Sequence, residues 1–227
     1  MAEPVLTRLK QPPEATTPET KTVQHKRRQR RLVVVAFALI VSVAAGGWAY
    51  NYIASAPQRA QVAYEAGMKL MGPRTYTDAI VQFTRAIDNS PQFAEVYLER
   101  GVAHRYLDEI EQAMADFDKA IDVNPSLARA YSARGRVYRE RGDIKRALED
   151  FTKSISLDSN VDAHYERGQT YETLGQHQKA IDDYDQAIAR LPDAPHVYRA
   201  RAFAKRNLGD VGGYEADRDT AKRFEHQ

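Results

Sequence analysis

The chain has 227 residues, 43% hydrophobic and 28% charged, enough for one or two domains with a genuine core. It contains no cysteine, which excludes disulfides, zinc–thiolate sites, iron–sulfur clusters and cysteine nucleophiles. The formal charge of +2 hides an asymmetry: residues 1–31 hold eight bases and three acids, and the rest holds 25 bases and 28 acids, so a basic end of +5 precedes a body of −3. That mildly acidic body is not the footprint of a nucleic-acid binder.

Residues 1–31 carry Pro4, Pro12, Pro13 and Pro18 and no apolar periodicity. Such a stretch cannot bury enough surface to offset its chain entropy, so the reading is a disordered basic tail. The run His25 to Arg31 has the composition of a nuclear-localisation or nucleic-acid patch, but the apolar segment directly after it favours a membrane-flanking charge cluster. From Leu32 to Tyr50 there are 19 uncharged residues with a single serine, Ser42. A helix of that length spans roughly 28 Å, close to the hydrocarbon thickness of a bilayer.

Trp48, Tyr50 and Tyr52 sit at its far end, as interfacial aromatics do. Five bases lie in the six residues before it, and Arg59 is the first base after it. The expectation is a transmembrane helix over 32–52, a cytoplasmic N-terminus and a C-terminal domain across the membrane, as in a single-pass inner-membrane protein with a periplasmic domain. Ala54-Ser55-Ala56 offers a rival reading, a signal peptide cleaved after Ala56. Residues 53–59 read as a linker.

Beyond residue 60 the sequence repeats. Ala79, Ala113, Ala147 and Ala180 are 34, 34 and 33 residues apart, and each opens a similar string. Ala79-Phe83-Ala86-Pro91 returns as Ala113-Phe117-Ala120-Pro125 and Ala180-Tyr184-Ala187-Pro192. The third copy, Ala147-Phe151-Ser154-Ser159, is degraded at its last two positions. Upstream in each unit stands Gly67, Gly101, Gly135, Gly168 or Ala202. Offsets of 4 and 7 place the Ala and Phe positions on one helical face. The prolines fall where a helix has just ended, and Gly142, Gly175 and Gly209 suit the turn inside a unit.

These residues resemble the tetratricopeptide repeat family over about 60–227, with units near 60–93, 94–127, 128–160, 161–194 and 195–227. The resemblance implies an all-α solenoid, a superhelix of about five helix-turn-helix repeats, here preceded by one transmembrane helix. In the fifth unit Arg218 replaces the ring, as suits a last helix with no successor to cover it.

A charged ladder runs through the units. Arg100, Arg134, Arg167 and Arg201 are each followed sixteen residues later by Asp116, Asp150, Asp183 and Asp217. The first unit has Ala66 and Gln82 there and lacks both partners together. Joint loss favours partly buried ion pairs between packed helices over an arginine stripe for acidic ligands, since an unpaired buried charge is costly.

Catalytic motifs are missing. The six histidines form no H-E-x-x-H, and no G-x-G-x-x-G, P-loop or G-x-S-x-G occurs. A non-enzyme is expected, with no cofactor, metal, nucleic acid or small-molecule substrate. What remains is a binding surface. The resemblance implies that the first helix of each unit lines a concave groove. By register the groove is Tyr64, Leu98, Ser132, Tyr165 and Arg199, then Met68, Val102, Arg136, Gln169 and Phe203, then Met71, Arg105, Arg139, Glu172 and Arg206. Its early part is apolar and its later part arginine-rich, which suits a peptide or partner helix with apolar and acidic residues.

The Lys and Asn of relatives that clamp a chaperone's C-terminal carboxylate are replaced here by Tyr64 and Met68, so that role is not expected. The functional expectation is a membrane-tethered scaffold for envelope protein complexes. A chaperone-like holdase for exported or membrane protein clients stays open beside it.

Overall fold

The computed structural model describes residues 49 and 52–225. The basic tail and, apart from Ala49, the apolar stretch 32–50 lie outside them. Among the described residues no helix is long and apolar enough to cross a membrane.

A compact unit begins at Ala56. It holds α1 (Ala56–Lys69), α2 (Tyr76–Asn89), α3 (Ala94–Tyr106), α4 (Ile110–Val123), α5 (Ala128–Glu140), α6 (Ile144–Leu157), α7 (Val161–Thr173), α8 (His177–Arg190), α9 (Pro195–Asn207) and α10 (Val211–Glu225). The first helix opens four residues ahead of the repeat boundary expected at 60. Pro57 explains the early start, because its fixed φ suits a helix's first turn and its missing N–H is not needed there. Ala60, in the second turn, is already buried.

Helices pair within each repeat and then stack: α1 with α2, α3 with α4, α5 with α6, α7 with α8, α9 with α10. The first helices of successive repeats also touch, α3 with α5, α5 with α7 and α7 with α9. The unit is therefore an all-α solenoid whose first helices crowd along one side, the geometry that makes that side concave.

Glycine plays two different parts here. Gly142, Gly175 and Gly209 have φ of +79°, +68° and +81°, with nothing within 4 Å of an added Cβ. They are glycines for the backbone's sake, since the left-handed turn between paired helices penalises any Cβ. The second repeat makes the same turn with Asp108 at φ +61°, a conformation a short polar residue tolerates.

Gly67, Gly101, Gly135 and Gly168 are glycines for the sake of space. A Cβ on Gly101 would lie 2.7 Å from the Phe117 ring, and one on Gly67 2.5 Å from Phe83. Gly168 would meet Tyr184 at 2.6 Å and Gly135 would meet Phe151 at 3.0 Å. Each ring is a fully buried knob seated in a glycine notch of the facing helix. In the fifth repeat both halves of this device change together, Ala202 filling the notch and half-exposed Arg218 replacing the ring.

The degraded third repeat is also compensated. Ser154 is fully buried, and Ser132 Oγ donates to Ser154 Oγ at 2.8 Å from an equally buried position on α5. Two hydroxyls satisfy each other where the second repeat has Leu98 and Ala120.

The charged ladder forms as bidentate pairs. Arg100 donates to Asp116 at 2.8 and 2.7 Å, Arg134 to Asp150 at 2.8 and 2.9 Å, Arg167 to Asp183 at 2.8 and 2.8 Å, and Arg201 to Asp217 at 2.8 and 2.6 Å. The third nitrogen of each guanidinium reaches back to the preceding repeat. Arg100 donates to Thr84 at 3.1 Å, Arg134 to Asp118 at 2.6 Å, Arg167 to Thr152 at 3.2 Å and Arg201 to Asp185 at 2.5 Å. Each arginine thus ties two helices of its own repeat to the repeat before it. Among the described residues no repeat precedes the first, a physical reason for Ala66 and Gln82 there.

Candidate functional site

The groove positions divide by depth. Leu98 is 1% exposed and belongs to the core with Phe117 and Val137, and Ser132 is buried against Ser154. Both are buried, yet both line the same cavity. That cavity has a volume of about 250 Å³ and is also lined by Val102, Arg129 and Arg136. Tyr64 is half-buried, with its ring centroid 5.1 Å from Phe93 and 6.1 Å from Phe83. Met68 is exposed, and Val102 packs against the core edge.

Most of the groove arginines serve as cross-braces between first helices. Arg105 on α3 donates to Glu140 on α5 at 2.9 Å. Arg129 on α5 reaches back to buried Glu99 on α3 at 2.8 Å. Arg136 and Arg139 on α5 flank Glu166 on α7, at 3.4 and 2.7 Å, and Arg139 also donates to Gln169 at 2.9 Å. Arg199 pairs with Glu225. The expectation of free cations awaiting an acidic partner therefore changes. An arginine spans the gap between neighbouring first helices, so glutamates on the next helix capture it. Arg206 has no carboxylate partner among the described residues, and it lies over the rings of Phe203 and Tyr214 at 4.9 and 5.8 Å.

Six of the expected groove residues, Arg139, Tyr165, Gln169, Glu172, Arg199 and Phe203, come together around one cavity of about 520 Å³. Tyr184 and His196 complete its main walls. That volume falls within the range of ~300–1,000 Å³ usual for ligand pockets. Tyr165 is its aromatic hinge, edge-on to His196 at 5.0 Å and tilted against Tyr184 at 6.0 Å. Its hydroxyl accepts from Gln169 Nε2 at 2.8 Å. Burial, with Glu166 adding to it, raises the Tyr165 pKa, and burial raises that of Tyr184 much further, so both phenols are neutral hydrogen-bonding groups at any ordinary pH. Tyr184 is not legible as a site residue in the sequence because it occupies a core position. The one available signal is its hydroxyl, where three other repeats have Phe83, Phe117 and Phe151.

A second cluster imitates a catalytic arrangement. Ser159 Oγ lies 2.9 Å from His164 Nε2, and His164 Nδ1 lies 3.0 Å from Asp183 Oδ1. The order is that of a serine hydrolase, but the electronic conditions are not. Asp183 is at the same time held bidentately by Arg167. Arg190 Nη2 donates to Ser159 Oγ at 2.6 Å and its Nε to the Ser159 carbonyl at 2.6 Å, which draws electron density from the hydroxyl. The cluster sits where the 34-residue period loses a residue, and it fastens that shortened junction. Among the described residues no group of three or more His, Asp or Glu side chains converges as a metal site.

The comparisons with known proteins agree with this architecture. Profiles of the tetratricopeptide repeat match residues 94–127 and 132–195, so these repeats are present in the chain. No curated sequence matches it. Among solved structures, that of PilW, a type IV pilus biogenesis factor, superposes with a TM-score of 0.68 at 18% identity, over 74% of this chain and 78% of that one. A MamA crystal structure gives 0.61 at 22% identity, over 70% of this chain and 94% of that one. A tetratricopeptide protein of Thermus thermophilus gives 0.59 at 22% identity, over 74% and 97%. At these identities the likeness is one of fold.

Proposed function

We propose that the chain is a membrane-tethered scaffold whose helical stack holds a partner protein in its concave groove. The observation that carries this reading is the convergence of Tyr165, Gln169, Arg199 and Phe203 from successive first helices on one cavity, continuous in register with exposed Met68 at the other end of the stack. A repeat stack with such a groove offers contact without a reaction centre, and tetratricopeptide repeats are in general suited to protein–protein assembly.

The uncharged segment Leu32–Tyr50 behind five bases supports an inner-membrane anchor with the repeats on the periplasmic side. Tethering confines the domain to the membrane surface and raises its effective concentration toward partners there. The structural likeness to a type IV pilus biogenesis factor is in keeping with work on envelope complexes. The partner is a peptide or helix of mainly apolar and aromatic character, since the groove's own glutamates already neutralise most of its arginines.

Two measurements test the proposal. A reporter fused after Arg59 should be active only on the periplasmic side; activity only in the cytoplasm defeats the orientation. Photo-crosslinkers at Met68 and at Phe203, used in intact membranes, should capture one dominant protein, and Phe203→Ala should weaken its capture at least tenfold, as expected of an aromatic anchor. Capture of many unrelated unfolded chains, insensitive to single changes, would establish the holdase instead.

A further inference from the structure

The two helices of the last repeat end the stack differently. On α10 Arg218 holds the ring position and Ala202 fills the facing notch, so the second-helix side offers no seat for a further repeat. The first-helix side is open. Arg105, Arg139 and Arg206 share one register position, four residues after Gly101, Gly135 and Ala202. Arg105 reaches Glu140 on the next first helix at 2.9 Å. Arg139 reaches Glu166 at 2.7 Å and Gln169 at 2.9 Å on the one after. Arg206 has no first helix beyond it among the described residues. Its guanidinium is exposed and makes no hydrogen bond or ion pair with them.

That guanidinium is nevertheless held in place. It lies over the rings of Phe203 and Tyr214 at 4.9 and 5.8 Å. Such contacts use a cation's attraction to the ring faces and leave its N–H groups for a planar acceptor. Phe203 is 48% exposed and stands in the register of Arg136, which also meets Glu166 on the following helix, at 3.4 Å. At two positions where the third repeat meets the helix after it, the last repeat thus offers an uncovered ring and an unpaired cation. We propose that this edge of α9 seats a helix of the partner protein where a sixth first helix would lie, with an apolar side chain on Phe203 and a glutamate or aspartate on Arg206. This deepens the groove reading and rests on it. The acceptor is a carboxylate on a helix because both arginines of the same register take theirs from one. Phe203 and Arg206 are three residues apart, so the partner's two side chains are about three or four apart on its own helix.

The test uses the full chain in detergent micelles and blocked, alanine-rich helical peptides carrying Leu and, one turn later, Glu, Gln or Lys, titrated by ligand-observed NMR. The Glu peptide is expected to bind about fivefold more tightly than the Gln peptide, as for a charge-assisted pair at a partly covered site. The Lys peptide should bind most weakly. Arg206→Gln removes no hydrogen bond within the chain and so preserves the fold. It should abolish the preference for Glu over Gln without weakening the Gln peptide. Arg206→Glu should reverse the order in favour of Lys, and Phe203→Ala should weaken the Glu and Gln peptides together.

Equal binding of the Glu and Gln peptides, no binding of any peptide, a preference unchanged in Arg206→Gln, or the same loss in Arg223→Gln, an exposed arginine of α10, would each overturn the proposal. Self-association of the parent chain that Arg206→Gln abolishes would give the edge to a second copy and overturn it too. Crosslinking at Phe203 in membranes separates the two ideas. A partner captured equally by the parent chain and by Arg206→Gln overturns the carboxylate pairing alone, whereas no capture anywhere along the groove removes the groove reading itself.

Discussion

At the residue scale, the two kinds of glycine predict two kinds of damage. Gly101→Ala forces a methyl group into the Phe117 ring, and overpacking of that sort costs about 1–3 kcal/mol. Gly142→Ala meets no atom but must hold φ near +79°, which costs about 1–2 kcal/mol. Urea unfolding should show both losses, and Phe117→Leu should soften the first without touching the second.

The buried serines give a sharper case. Ser132→Ala or Ser154→Ala alone leaves the other hydroxyl buried without its partner, a loss of about 1–3 kcal/mol. The double variant should be nearly as stable as the parent chain. A double variant as damaged as the sum of the singles would mean that the hydroxyls do not depend on each other. Sequence periodicity marks Ser154 only as a departure from the repeat; its reason lies 22 residues away on a facing helix.

At the scale of elements, the ladder arginines act as rivets between helices. Arg134→Ala and Asp150→Ala should each destabilise the chain, and the double variant should lose less than their sum by about 1–3 kcal/mol. The figure stays below that for a fully buried pair because the Arg134 side chain is 20% exposed. Strict additivity would remove the pairing.

The same rivets set the response to acid. Burial pushes the Asp183 carboxyl up, but hydrogen bonds from Arg167 and His164 outweigh it and leave its pKa below the ordinary 3.8. Asp217 is likewise lowered overall, burial being outweighed by Arg201 and Lys205. A depressed folded pKa means stability that is present above the unfolded value and lost as pH falls through the folded one. The urea midpoint should therefore be flat in its carboxylate contribution down to about pH 5 and fall below about pH 4. Asp217→Asn should flatten that fall.

At the scale of the whole molecule, a repeat stack must end its core without inviting another copy to extend it. Arg218 at the ring position of α10 provides that ending, and Ala202 opposite has already closed the notch a ring would need. Arg218→Leu should raise self-association, measured by light scattering across a concentration series. A variant that stays monomeric at every concentration would mean that the stack's end is protected by something other than this charge.

The repeat architecture is readable from the chain alone because it is a local, periodic property. Spacings of 33 and 34 residues, helix-face offsets and turn glycines all act within one unit, and every unit restates them. The Arg–Asp rungs are readable for the same reason, as a fixed offset lost at both ends together in the first repeat. The tertiary structure decided what depends on the distance between units. It buried Leu98 and Ser132, set glutamates opposite the groove arginines, and brought Tyr184 and Glu172 into the wall of one cavity that no single helix supplies. Periodicity specifies the direction of a side chain relative to its own helix axis, whereas pairing and depth depend on how neighbouring axes are offset, which only the packed stack determines.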